Sequence, residues 1–143
     1  MLVRWTAILA LGLLGISSVI GAIPMMLDPD GTPWQMPQSL LGPTPFDSFL
    51  IPGVILFIAN GVLSLASLIG AVRKDPGYAW WVVLQGAILA VWLVLEIAMI
   101  REVLGIQFLY GCLAAVLIAS GIVLNRSESR LTQTRGNAGG ELA

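Results

Sequence analysis

The sequence predicts an all-α fold: an integral membrane four-helix bundle with N and C termini cytoplasmic and an ordered outer loop between helices 1 and 2. Three observations carry that expectation. The chain of 143 residues is 57% hydrophobic and 10% charged, with a mean hydropathy of +0.92, whereas soluble domains carry about 25% charged residues. Four runs without a charge, at 5–27, 48–72, 76–95 (continuing to 100 past Glu96) and 103–125, each reach the ~20 apolar residues that a helix needs to cross the hydrocarbon core. Arg4, Arg73, Lys74, Arg126, Arg130 and Arg135 fall on one side of a four-pass path, and only Arg101 falls on the other. The positive-inside rule then puts both termini in the cytoplasm and residues 27–52 outside, in the inner or plasma membrane of a cell.

One domain spans 1–124, with crossings near 5–26, 48–72, 77–101 and 106–124. The polar residues 125–143 cannot bury apolar area and are expected to form a disordered cytoplasmic tail. With no His and a single Cys, Cys112, the commonest zinc sites, a Cys–His nucleophile pair and an internal disulfide are excluded. The chain has no Gly-rich phosphate loop, pair of catalytic carboxylates or nucleophile elbow. No metal, cofactor or catalytic residue is therefore expected, and nucleic acid is not an expected partner.

Helix 1 follows MLVRW, a start that a secretory signal peptide could share. The run is long for that purpose, and Pro24 makes Ala22-Ile23-Pro24 a poor cleavage site, so a retained anchor is expected. Its Gly12, Gly15, Ser17 and Gly21 are small enough to permit close helix approach. Residues 27–52 hold Asp28, Asp30 and Asp47 and no Lys or Arg, and five of the chain's eight prolines fall between Pro29 and Pro45. Asp28-Pro29-Asp30-Gly31 is a turn signature. Trp34, Met36 and Phe46, with Leu40 and Leu41, are too apolar for a solvated loop and read as a cap over the helix ends.

Helix 2 is expected to start with Thr44 as cap and Pro45 as first residue, with Asp47 reaching back. Pro52 predicts a kink, or a short interfacial helix over 45–51 before the span proper. Asn60, Ser64 and Ser67 recur at i, i+4 and i+7 on one face and are expected to point inward. In the turn after Arg73-Lys74, Asp75 reads as the cap and Pro76 as the first residue of helix 3, with Tyr78, Trp80 and Trp81 as an aromatic belt. On helix 3, Gln85 and Glu96 stand eleven residues apart on nearly one face, with Trp92 along it. Glu96 lies roughly 7–12 Å below the outer interface at about 1.5 Å per residue, and an acid at that depth is a functional hypothesis by default. Its candidate donors are Asn60, Tyr110 and Arg101. Gly105 is expected to end helix 3. Gly111, Ala115 and Ala119 suggest a packing seam on helix 4, and Cys112 is expected to be inert inside the membrane.

The pattern DPDG…MPQSLLGPTPFDSFLIPGVILFIANG, then VWLVLEIAMI and IQFLYG, resembles a group of small prokaryotic four-helix inner-membrane proteins of uncharacterised function. The likeness covers 23–124, and PFDSFLIPG is its most specific part. It implies the four-crossing architecture and assigns no substrate or catalytic residue. In that pattern a Gln is common near the place of Glu96, which implies that the charge is dispensable there.

These residues point to a non-enzymatic module that binds a lipid, a lipid-like ligand or a partner protein. Asn60, Ser64, Gln85, Trp92, Glu96 and Tyr110 form its candidate polar pocket, and Trp34, Met36 and Phe46 its outer cap. Membrane lipids are the expected partners, with a homo-oligomer or a membrane partner subunit left open. The alternatives are a small proton-coupled transporter using Glu96, or a membrane enzyme acting on lipids with Glu96 and Tyr110 as its only acid–base pair.

Overall fold

Apolar chain in lipid must satisfy its own amides, and the four runs do so as helices. The computed structural model describes residues 1–32, 35–101 and 105–140, with backbone only at 100 and 135–140. Its helices are α1 (Leu2–Leu27), α2 (Leu50–Arg73), α3 (Tyr78–Ile100) and α4 (Gly105–Gly140). All four are long and apolar enough to cross a membrane, and they pack together as the expected all-α bundle.

In the bundle α1 runs along the whole of α2, α2 touches α3, α3 lies most extensively on α4, and α4 returns to α1. Leu11, Leu14, Val82, Leu89 and Leu117 fill the centre. Arg4 and Glu128 both lie close enough to Tyr78 to act on it electrostatically. The start of α1, the start of α3 and the distal part of α4 therefore share one end, here the basic end. Trp5, Trp80 and Trp81 are exposed there, as interfacial aromatics are.

Glycine sets the closest approaches. A Cβ on Gly15 would stand 2.7 Å from Leu65 Cδ2 and 3.3 Å from the Gly61 carbonyl, where α1 crosses α2. On α4 the expected seam is rotated away from the bundle. Ala115 and Ala119 are exposed and a Cβ on Gly111 would meet nothing within 4 Å. The helix instead presents Ala114, Leu117 and Gly121 to α3. One residue of rotation, about 100°, buries Leu117 together with the small residues, which the other face could not do.

Four helix ends differ from expectation. Thr44 Oγ1 donates to the Leu41 carbonyl (2.8 Å) and accepts from the Phe46 N–H (3.3 Å), closing a loop turn, and α2 begins only at Leu50. Pro52 thus falls in the first helical turn, where an amide has no intrahelical acceptor to lose, and no kink is required. Lys74 (φ 58°) and Gly77 (φ 78°) take left-handed conformations, so Asp75 and Pro76 stay in the turn and Tyr78 opens α3. Arg101 (φ 57°) ends α3 with its N–H on the Ile97 carbonyl (2.8 Å), while Gly105 opens α4.

The tail also differs, because α4 continues to Gly140. Ser127, Ser129, Thr132 and Thr134 each donate to the carbonyl four residues back (3.0–3.1 Å). No Pro follows Pro76, so an already nucleated helix can propagate one bond per residue.

The outer segment is tied by backbone bonds: Gly31 N–H to the Asp28 carbonyl (3.1 Å), Met36 N–H to Gly31 (3.0 Å) and Phe49 N–H to Pro29 (2.9 Å). Gln38 Nε2 adds a bond to Asp30 Oδ1 (3.1 Å). Gly31 adopts φ +81°, and a Cβ there would stand 2.7 Å from the Met36 carbonyl oxygen and 2.9 Å from the Phe49 ring. Left-handed backbone costs a non-glycine residue about 1–2 kcal/mol. Gly31→Ala is therefore expected to speed amide exchange at Met36 and Phe49 by about 5–30-fold, while the deep amides of α3 stay protected. Unchanged exchange at both residues would show that the cap is not closed by this turn.

Candidate functional site

The α3–α4 hairpin places Glu96. Gln107, in the first turn of α4, lies against the Glu96 carboxylate. Tyr110, one turn further along α4, lines the same space. Among the described residues no ion pair reaches Glu96, and Arg101 lies exposed beyond the helix end.

Below Glu96 the helices leave a cavity of about 370 Å³. Leu14, Ser17, Ser18 and Gly21 form its α1 wall, Leu89, Trp92 and Leu93 its α3 wall, and Ile106, Gln107 and Tyr110 its α4 wall. α2 contributes Leu56. A second space of about 100 Å³ lies under the cap, bounded by Met25, Met36, Leu40, Phe49 and Met99. Both spaces share Leu56, Trp92 and Glu96. Of the three expected cap residues, Met36 reaches this space, Phe46 is half-buried and does not line it, and Trp34 lies outside the described residues. Phe49 takes the part expected of Phe46.

The six candidate pocket residues separate into two groups. Trp92, Glu96 and Tyr110 share the cavity. Asn60, Ser64 and Gln85 are each 0% exposed and do not line it. Asn60 is therefore not the donor that Glu96 uses.

This second group sits at an irregularity of the backbone. Residues Leu56–Val62 form a π-helical turn, and the Leu63 N–H bonds to the Ile58 carbonyl, five residues back. That N–H passes over the Ala59 carbonyl, which accepts instead from Gln85 Nε2 (3.0 Å). The side-chain amide of α3 thus fastens the irregular turn of α2. The Asn60 amide atoms, Ser64 Oγ and Gln85 Oε1 are fully buried without a protein partner. Ser67 bonds to its own helix at Leu63 (2.8 Å).

Sequence reasoning missed Gln107, Ser18 and Phe49. The signal for Gln107 was present: it is the first polar side chain of the fourth apolar run, near the same end of the bundle as Glu96. Nothing marks Ser18 or Phe49, since both depend on which way α1 and the outer loop rotate.

Comparison of the chain with protein-family models, with curated proteins and with solved structures finds no match in any of the three. The likeness carried by the outer segment reaches no further than the four-helix architecture. The chain is a small multi-pass membrane protein, and its family is not identified.

Proposed function

We propose that this protein is a non-enzymatic module that holds a membrane lipid or lipid-like ligand in the cavity below Glu96, under the outer cap. The observation that carries this reading is the cavity itself, with apolar walls and a polar cluster at one end. A few convergent polar groups in an otherwise apolar pocket are the usual form of a small-molecule site. The distribution of basic residues supports a cell inner membrane, with the capped end facing out.

Gly21 provides the test. It lines the cavity, and a Cβ there would stand 3.9 Å from its nearest neighbour, Leu56 Cδ2. Gly21→Phe is expected to fill the space without breaking the bundle. Protein extracted with its native lipid should then retain about tenfold less tightly bound lipid, a loss equivalent to about 1.4 kcal/mol. Equal lipid content in the two proteins at equal thermal stability would end the reading.

One observation favours a second reading. Glu96 borders both spaces, so an acid that carried a proton there could be reached from the cap side as well as from the cavity. In that case proton-driven uptake by proteoliposomes should vanish in Glu96→Gln, and uptake that persists would remove it.

A further inference from the structure

Resting on the ligand-binding reading above, we infer that the cavity selects a single-chain amphiphile whose head group donates hydrogen bonds and carries no negative charge, such as an alkyl alcohol or amine. The head lies against Glu96 and Gln107, and the chain enters sideways between α1 and α4.

Charge argues for the head. Glu96 is the acidic residue of the lining, and no Lys or Arg joins it there. Arg101 borders a separate outer groove with Ser39, Gly42 and Pro43. A carboxylate or phosphate head would be desolvated beside Glu96 with no cation to offset it, whereas a hydroxyl or ammonium group meets an acceptor.

The gradient along the walls argues for a tail. Glu96 and Gln107 lie near the ends of α3 and α4 on the capped side, while Leu89 stands two turns deeper, about 10 Å along the axis. Leu14 and Leu89 are 1% and 2% exposed, so the inner end is closed and apolar. The volume of about 370 Å³ lies at the small end of ligand pockets, about 300–1,000 Å³, which suits one chain with a small head.

The mouth argues for the route. Ile20 on α1 and Ile106 on α4 both line the cavity and are 60% and 58% exposed on the outer surface of the bundle. The opening therefore faces acyl chains between these helices. An amphiphile in the leaflet on the capped side already carries its head toward that end and needs no inversion to enter.

Trp92 in the wall supplies the readout. The protein in lipid nanodiscs is titrated with twelve-carbon amine, alcohol and carboxylate probes brominated near the chain end. Trp92 quenching is the difference between the wild type and Trp92→Phe, compared at equal mole fraction of probe in the bilayer. The amine and alcohol are expected to quench at about tenfold lower mole fraction than the carboxylate. In Glu96→Gln the three probes should converge, because the isosteric amide keeps the polar contact and removes the charge. Equal quenching by all three probes in the wild type, abolished by Gly21→Phe, would overturn the selectivity and leave the cavity reading intact. Quenching that Gly21→Phe does not alter, or no Trp92-dependent quenching with any probe, would overturn both.

Discussion

Gly121→Ala is expected to destabilise the bundle more than the same change at any glycine on its outer surface. A Cβ at this position would stand 2.5 Å from Val83 Cγ2, 2.7 Å from the Val83 amide nitrogen and 3.0 Å from the Ala79 carbonyl oxygen. Two of the three obstacles are backbone, so rotating a side chain cannot relieve them. The helices must separate, and overpacking of this kind costs about 1–3 kcal/mol. Gly15→Ala faces mainly the mobile end of Leu65 and should cost less. Gly111→Ala meets nothing within 4 Å and should be neutral or gain up to about 1 kcal/mol in helix propensity. Reversible unfolding in mixed micelles measures all three. If Gly121→Ala and Gly111→Ala were equally stable, the α3–α4 crossing described above would be wrong. That crossing also sets the facing of Glu96 and Gln107, so ligand retention should fall with stability in Gly121→Ala.

The four spans were legible because lipid imposes a length and a composition that soluble folds do not. The end of the bundle that carries the basic residues was legible for the same reason, as was the inward direction of Asn60, Ser64 and Gln85. Rotation was not. Gly111, Ala115 and Ala119 on one face and Ala114 and Gly121 on another both offer small residues at helical spacing, and only the partner helix decides between them. Helix starts were misplaced at Thr44-Pro45 and Asp75-Pro76, where good local capping chemistry lost to the geometry of the turn. In the first case the Thr44 hydroxyl was already engaged by the Leu41 carbonyl. The π-helical turn was illegible as well, because an extra residue in a helix leaves no mark in an apolar run such as LFIANGV.

That turn generates the second large expectation, which concerns Gln85. The Ala59 carbonyl is skipped by the helix ladder and held by Gln85 Nε2 at 3.0 Å. A polar contact between membrane helices contributes ~0.6 kcal/mol on average. Gln85→Leu does more than remove such a contact, because it leaves a backbone acceptor buried without its donor, at a cost of about 1–3 kcal/mol. Two responses are open to the chain: α2 keeps its irregular turn and is destabilised, or it slips toward regular α-helix and rotates Asn60 and the residues before it by about 100°. Either response reduces stability, and the second also moves Leu56, which borders both cavities. Asn60→Leu is the comparison that isolates the effect. The Asn60 amide has no protein partner, so its loss breaks no bond between helices and should cost less than Gln85→Leu. Unfolding free energies of the two single variants and the double variant decide the matter. A cost for Gln85→Leu no larger than that for Asn60→Leu would mean that α2 holds its irregular turn without help from α3.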